Sequence, residues 1–543
     1  MALKITDEQN YHDIADAIRS KLGSSDTFLP SEMAGAIESI PTGGGTSEFK
    51  TKFIDYDGAV LYEYTQDEVE ALTELPPLPS HTGMVCQEWN WTLSDMKEAG
   101  RHIIVGANYT TDTGRTKIFI DVPEYDRTVF SSFMQSQIGG VKIHWGDGNT
   151  YTDDSNTNVN TSHTFSHSGS YVIEIEVLSG TIKIVGDRTS GSKLIWSNQS
   201  SEEGMVGAAN YVSGIQIGDN VELGDYAFMG VNAIYVSLPC DVILSSNNIG
   251  GFYYCQLLRC LIFPRSFNTL GTYIAAYDSV LRCISIPNTV LSIESYAFDN
   301  CFLLKEVTLP DSLTTIKGSA FKACGSIDAL DIPESVTGIY GYAFTECNQI
   351  GMLAIINPSI ALADYCLYEL EGLESISLPE GLLKIPSYFL CNDQLVLDVT
   401  IPSTVTEIGR DAFENCRSLT RIILPSGLVT IGISAFEGCK KLRELVIPAG
   451  VKKLNTMVFA SCDELRSIAF LGDIESISSN SPFKYCVNIR EYDFSHCTYV
   501  PTLPAGNTLV VNQNTIIKVP LALLDDFKQA QYWSIHASKI VGV

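Results

Sequence analysis

No stretch of the 543 residues approaches the run of roughly 20 apolar side chains that crosses a bilayer as a helix. The N-terminal segment MALKITDEQNYHDIADAIRSK is polar and amphipathic, without the apolar centre of a secretion signal. The C-terminal SIHASKIVGV carries no membrane tail. The expectation is synthesis in the cytoplasm, no membrane insertion and no anchor of the chain's own. Basic residues are scarce: 35 Lys and Arg stand against 63 Asp and Glu, for a formal net charge of −28. Such a chain repels phosphate backbones, which argues against nucleic acid as a partner. The 15 cysteines are odd in number and include no C-x-x-C pair, which weakens zinc and redox readings. Also missing are H-E-x-x-H, the G-x-S-x-G elbow, the Walker loop and the dinucleotide fingerprint. No catalytic residue, metal ligand or cofactor is therefore assigned. Paired carboxylates for glycan cleavage need only spatial proximity, so a glycan-degrading enzyme stays an alternative without a constellation to support it.

A repeat is present instead. Pro264, Pro287, Pro310, Pro333, Pro358, Pro379, Pro402, Pro425 and Pro448 follow one another at intervals of 21 to 25 residues, six of the eight steps being 23. Ala-Phe pairs keep the same beat at Phe298, Phe321, Phe344, Phe413 and Phe436, each followed three residues later by Cys301, Cys324, Cys347, Cys416 or Cys439. In the unit AFENCRSLTRIILPSGLVTIG, from Ala412, Ile422 and Leu424 alternate with Arg421 and Ile423 as a strand with one buried face requires. Pro425 ends that strand, because it has no N–H for the ladder. Leu428 and Ile431 begin a second side, and Ala435, Phe436 and Cys439 suit a tight turn. One coil cannot cover its own apolar edge but stacked coils can, so the repeat predicts a solenoid.

In that frame the cysteines read as small apolar side chains at one inward site. Leu370 and Asp393 stand where the beat expects cysteine, so no linked thiol chemistry is maintained along the row. Cys260 and Cys283 differ: both lie four residues before a repeat proline, on the outward alternation, and should be neighbours able to pair on oxidation.

Units such as LKEVTLPDSLTTIKGSAFKAC, from Leu304, resemble the BspA-like (type 5) leucine-rich repeats over roughly residues 215–500, in about eleven or twelve coils. The resemblance implies a surface adhesin or other binding protein without catalytic residues. Residues 365–400 depart most from the pattern, and irregular coils are expected there. Leu523, Phe527, Ala530 and Trp533, at helical spacing, suit a terminal cap.

The N-terminal half is composite. Tyr11, Ile14, Ala15, Ile18 and Leu22 follow helical spacing behind a candidate capping box at Thr6, and Pro30 opens a second helix with Met33, Ile37 and Ile40 on one side. Two short helices make little core alone, so they should bury their faces in an oligomer or on a partner. YHDIADAIRSKLGSSDTFLPSEMAGAIESIP resembles an N-terminal module of tail and tail-tip proteins from phages and prophages of Gram-positive bacteria. In the next segment Phe53, Asp55 to Gly58 and Val60 read as strand, turn and strand, and Gln66 to Leu72 as a short helix. VKIHWGDGNTYTDD and HTFSHSGSYVIEIEV resemble the PKD-type immunoglobulin-like sandwich through Trp145, Gly146-Asp147-Gly148, His163-Thr164-Phe165 and Gly169-Ser170-Tyr171. The resemblance implies a spacer or adhesion module.

Three constellations merit a structural check. His163 and His167 have an H-x₃-H spacing but no further zinc ligands. Asp147, Asp153 and Asp154 offer oxygens for calcium, although a solvated loop is the favoured reading of them. Tyr253, Tyr254, Tyr273 and Tyr277 lie in early coils, where exposed rings could stack on sugars or pack at an edge.

The expected architecture is mainly β: a leucine-rich-repeat solenoid preceded by β-sandwich-like domains and a short N-terminal helical module. The divisions are 1–41 helical attachment or oligomerisation module, 42–46 Gly linker, 47–120 small β-rich domain, 121–190 PKD-like sandwich, 191–512 solenoid and 513–543 cap. The expected function is non-enzymatic binding of a host cell-envelope protein or glycan at a phage virion tail. Tail or baseplate proteins would hold the N-terminal module, and the chain would form a homo-oligomer, a trimer among the options. The alternative is a bacterial cell-surface adhesin.

Overall fold

The computed structural model describes residues 50–99, 101, 103–154, 157–189, 191–195, 212–245, 248–504 and 509–543. The helical module and linker expected over 1–46 lie outside the described residues. The chain is mainly β, and its C-terminal part is a solenoid of about 14 turns.

The first described unit is a four-stranded sheet. β1 (Lys50–Ile54) and β2 (Val60–Thr65) form an antiparallel hairpin, and β4 (Ile103–Thr111) lies parallel to β1 and antiparallel to β3 (Met84–Trp89). α1 (Gln66–Ala71) begins at a capping box in which Thr65 and Glu68 satisfy each other's backbone N–H groups. Alternation assigns the two faces of the sheet. Phe53, Ile103, Val105, Ala107 and Tyr109 turn to one side, where they make a core with Trp89, Trp91, Val69 and Met96 of α2 (Leu93–Ala99). Ile54 and Ile104 turn to the other side and pack on Cys260 and Ile262 of the solenoid.

β5 (Thr116–Val122) straddles the boundary expected at residue 120 and enters a sandwich. β6 (Thr128–Gln135), β7 (Val141–His144), β8 (Thr150–Thr152), β9 (Asn158–Thr164), β10 (Gly169–Val177) and β11 (Ile182–Ile184) complete it. Val129, Phe133, Ile143, Trp145, Phe165 and Ile173 are buried in its core. Neither sheet stops at the boundary expected at residue 190. Val212–Gln216 pairs with β5 and then, in parallel, with Tyr235–Ser237. Val221–Leu223 pairs in parallel with β11 and with Ile243–Leu244. The two sheets thus continue into the two strand rows of the solenoid, and one apolar core runs from Ile118 to Ile540. The sandwich covers the first apolar coil, as a repeat array requires.

Most coils contribute a strand to the first row just before the proline and a short one to the second row just after it, as at Cys283–Ser285 and Ser292–Ile293. Neighbouring coils pair in register, Cys260 beside Cys283 beside Glu306. The third side is a tight turn built on left-handed residues. Tyr273, Tyr296, Ser319, Tyr342, Tyr365, Tyr388, Asp411, Ser434 and Met457, each 23 after the last, have φ between 52° and 64°. Asn300, Ala323, Glu346, Glu369, Asn392 and Asn415 form a second such column. A left-handed non-glycine costs roughly 1–2 kcal/mol. The return is a turn in which alternate N–H groups reach the next coil: Tyr296, Phe298 and Asn300 donate to Gly318, Ala320 and Lys322 at 3.0, 2.8 and 2.8 Å.

Inside the turn Phe298, Phe321 and Phe344 stack at 5.3 and 5.6 Å, and Phe413, Phe436, Phe459 and Phe483 at 5.2 to 5.8 Å. Burying each ring stabilises the fold by about 1.5–3 kcal/mol. The cysteines beside them do more than fill space. Sγ of Cys301, Cys324, Cys347, Cys416 and Cys439 donates to the carbonyl 26 residues earlier, at 3.0 to 3.2 Å. A buried carbonyl left bare would be costly, and the thiol is a small side chain that supplies a donor.

Over residues 365–400 the first row stays in register through Met352, Ser375, Asp398 and Arg421, but the second row breaks: Ala361–Leu362 and Lys384–Ile385 belong to separate sheets, in keeping with the irregular coils expected there. The first row is interrupted at residues 328–330, which form no strand. At the far end α3 (Leu524–Gln529) buries Phe527, and Trp533 is buried beside it; Ile540–Gly542 then adds a last parallel strand. Leu523 and Ala530 pack half-buried against the same core.

Candidate binding surfaces

The outward face of the first strand row is divided. Its early part is covered by the β1–β4 sheet. Asn90 donates from Nδ2 to the Phe263 carbonyl at 3.0 Å and to Ser285 Oγ at 2.9 Å, while its Oδ1 accepts from the Gly106 N–H at 2.7 Å. Ser285 Oγ lies 2.6 Å from the Ile104 carbonyl, and the Trp91 indole N–H reaches the Ile286 carbonyl at 2.8 Å. Lys52 pairs with Glu306 at 3.0 Å, and Arg101 with Asp311. Gly106 is required here, because a Cβ would stand 2.4 Å from Ile262 Cγ2. A buried network with its partners in place fixes one docking geometry.

Beyond that sheet the row is open. A groove of 790 Å³ lies at its margin, lined among others by Lys50, Arg101, Asp328, Asp331, Met352 and Ser377. Further along, Met352, Ile423, Val446 and Ile516 are 73, 53, 50 and 44% exposed, interleaved with Ser375, Asp398, Arg421 and Glu444. The mixture of apolar and charged side chains on a flat strand face suits a broad protein or glycan contact rather than a deep pocket.

On the turn side, the tyrosines of the left-handed column stack coil upon coil. Ring centres are 4.9 Å apart for Tyr273 and Tyr296, 4.8 Å for Tyr342 and Tyr365, and 4.2 Å for Tyr365 and Tyr388. Of the four tyrosines singled out in the sequence, Tyr273 begins this ladder, while Tyr254 and Tyr277 stand in the second left-handed column and Tyr253 lies beside them. Tyr253 meets Tyr273 and Tyr277 edge to face at 5.9 and 5.6 Å, and Tyr254 lies 6.5 Å from Tyr277. Tyr296, Tyr342, Tyr365 and Tyr388 were not singled out, although the 23-residue interval from Tyr273 passes through all of them.

Six copies of the BspA type leucine-rich repeat region match residues 209–284, 275–396 and 384–503, together more than half of the chain. The chain belongs to the BspA-type leucine-rich repeat family. No curated protein matches it. Among solved structures, a leucine-rich repeat protein from Bacteroides ovatus is 20% identical, over 59% of this chain and 97% of that one, with a TM-score of 0.32. A leucine rich cell surface protein from Faecalibacterium prausnitzii is 22% identical, over 57% and 94%, with a TM-score of 0.34. The pneumococcal vaccine antigen PcpA is 17% identical, over 68% and 84%, with a TM-score of 0.38.

The remaining candidates lie outside the BspA-type repeats or at their seam. His163, in β9, pairs with Asp147 at 2.7 Å and stacks on Trp145, whereas His167 contacts Ser166. The two histidines do not converge. Burial raises the Asp147 carboxyl, but the Asn149 amides and the His163 ring outweigh it, and the net shift is downward. Asp153 is buried, and Asp154 is exposed. No group of three or more metal-ligating side chains converges among the described residues. No helix among them is long and apolar enough to cross a membrane. Cys260 and Cys283 are brought together, with Sγ atoms 3.5 Å apart beside a cavity of 470 Å³ that Asp57, Arg259 and Arg282 also line.

Proposed function

We propose that this BspA-type repeat protein is a non-enzymatic adhesion protein that binds a protein or glycan of a bacterial envelope through the outer surface of its solenoid. The observation that carries this reading is the open part of the first strand row, a continuous face of mixed character held on one rigid core. Many modest contacts on such a face gain strength when several copies bind together.

The finer reading is display on a phage or prophage virion tail. Residues 1–41 support it through their resemblance to tail modules, and they would hold tail or baseplate proteins and build a homo-oligomer, a trimer among the options. The sandwich, with Trp145 and the Gly146-Asp147-Gly148 turn, is consistent with a PKD-like spacer. A second reading is a bacterial cell-surface adhesin, and family membership favours it, since BspA-like repeat proteins are typically found at the cell surface. Immunogold electron microscopy with antibody against the solenoid separates the two. Gold at virion tail tips supports the tail reading. Gold on producing cells and absent from virions overturns it in favour of the cell-surface adhesin.

A further inference from the structure

Cys260 and Cys283 meet in a cleft at the margin of the docked sheet. It has two adjoining chambers of 470 and 510 Å³, which share Gly58, Arg282, Cys283 and Leu303 in their linings. The β1–β2 turn at Asp57 and Gly58 forms one wall. The other is the solenoid, where the chain enters the strands Cys260–Ile262 and Cys283–Ser285.

The solenoid wall carries two columns of side chains. Leu257 and Leu303 are 46 and 42% exposed, with Val280 on the coil between them. Beside them Arg259, Arg282 and Lys305 recur at intervals of 23 residues. Backbone hydrogen bonds hold these three in adjacent rungs. The Arg282 N–H donates to the Arg259 carbonyl at 2.9 Å, and the Lys305 N–H to the Arg282 carbonyl at 2.9 Å.

The charges of this wall are unevenly balanced. Lys305 pairs with Asp328 at 3.2 Å, and nearby Lys52 with Glu306 at 3.0 Å. Arg259 and Arg282 are exposed, and neither guanidinium has an ion-pair or hydrogen-bond partner among the described residues. Asp57 is the acidic residue of the first chamber's lining, and its Oδ1 accepts from the Ala59 N–H at 2.9 Å. In a chain with 63 acidic residues against 35 basic ones, these neighbouring arginines stand without a counter-charge. Their mutual repulsion is relieved by an anion bound between them.

We infer that the cleft binds a phosphate group of a phosphodiester-linked envelope polymer, with the Arg259 and Arg282 guanidinium groups donating to its oxygens and the polymer's carbon backbone lying along Leu257, Val280 and Leu303. A planar carboxylate is filled by a single guanidinium fork, whereas a tetrahedral phosphate offers oxygens to two. The apolar column suits a polymer with carbon between its phosphates and gives nothing to free phosphate. The net charge of −28 repels phosphates beyond the cleft, so the grip is confined to a short run of the polymer. The inference rests on the adhesion reading and names the ligand class for it.

The test measures binding of a glycerol-phosphate oligomer to the reduced full chain and to the double variant Arg259→Gln with Arg282→Gln. Both side chains are exposed, so the variant keeps its fold, which its thermal midpoint checks. Cys283 lines both chambers and reports their occupancy through its rate of alkylation, with Cys240, outside their linings, as the reference. The expected result is saturable binding that weakens as salt rises and is roughly tenfold or more weaker in the double variant. The oligomer should slow alkylation of Cys283 and leave Cys240 unaffected. No oligomer bound by the unsubstituted chain, equal binding by the double variant, or an unprotected Cys283 overturns the cleft. A polyuronate that binds as tightly, with the same protection, overturns the phosphate assignment. Inorganic phosphate that binds as tightly as the oligomer overturns the polymer as its source. Binding to isolated envelopes retained alongside any of these failures leaves adhesion standing, whereas an unsubstituted chain that binds no envelope removes adhesion itself.

Discussion

The indole N–H of Trp91 donates to the backbone carbonyl of Ile286, 195 residues away, at 2.8 Å. With Asn90 and Ser285 it fastens the β1–β4 sheet onto the outer face of the solenoid. That face is therefore partly occupied before any ligand arrives, and only the coils beyond residue 350 present it freely.

Loosening this contact has a defined consequence. Trp91→Phe keeps most of the ring but orphans the Ile286 carbonyl, for about 1–3 kcal/mol of lost stability. Gly106→Leu is the harsher change, since its side chain meets Ile262. Hydrogen exchange should accelerate across β1, β4 and the Cys260–Ile262 strand in both variants. Unchanged exchange in Gly106→Leu contradicts the docking.

The Cys260 and Cys283 thiols should be the pair that oxidises. They face each other across neighbouring parallel strands, whose Cα spacing of about 4.8 Å falls within the range a disulfide spans. Glutathione disulfide exchanges first with Cys283, the more exposed of the two, and Cys260 then displaces glutathione. Peptide mapping should recover a Cys260–Cys283 link while Cys301, Cys324 and Cys347 stay reduced. A link within the buried column instead would contradict the coil register.

Asp393 gives a pH dependence. It occupies the cysteine column and is fully buried, with little beyond the Leu370 backbone to set against the loss of water. Burial raises its carboxyl well above the ordinary range. The folded state therefore holds the proton more tightly than the unfolded one. The stability this contributes is complete below the unfolded value of about 3.9 and is lost as pH rises from there through the folded value. Asp393→Leu, the residue type found at position 370, should raise the thermal midpoint at pH 7 and flatten its dependence on pH. A midpoint that falls at pH 7 shows that the carboxyl has a partner.

The thiol hydrogen bonds make a separate claim. Cys439→Val keeps the volume and removes the donor to the Phe413 carbonyl, so urea unfolding should show a loss of about 1 kcal/mol. An unaltered midpoint returns these cysteines to simple space-filling.

The repeat was readable in sequence because every coil places the same residue in the same surroundings, so Pro310, Phe321 and Cys324 recur at a fixed interval. The turn around Asp55 to Gly58 and the helix from Gln66 were readable for local reasons. The Asn90–Ser285 contact was not, since it joins distant segments with no shared pattern. Nor were the columns of left-handed residues: tyrosine, serine, aspartate and methionine alternate there, and backbone conformation, not side-chain type, is what repeats. Strand Val212–Gln216 joins β5 mainly through backbone pairing, which no side-chain pattern announces, and that left the continuity of sandwich and solenoid invisible.

Equilibrium binding of the purified full chain to a panel of intact bacterial cells and isolated envelopes tests the central claim most directly. The account predicts saturable binding to at least one envelope, displaced by unlabelled protein, with the envelope glycans chemically unchanged afterwards. Absence of saturable binding to every envelope, or progressive cleavage of envelope glycans by the chain, would contradict it.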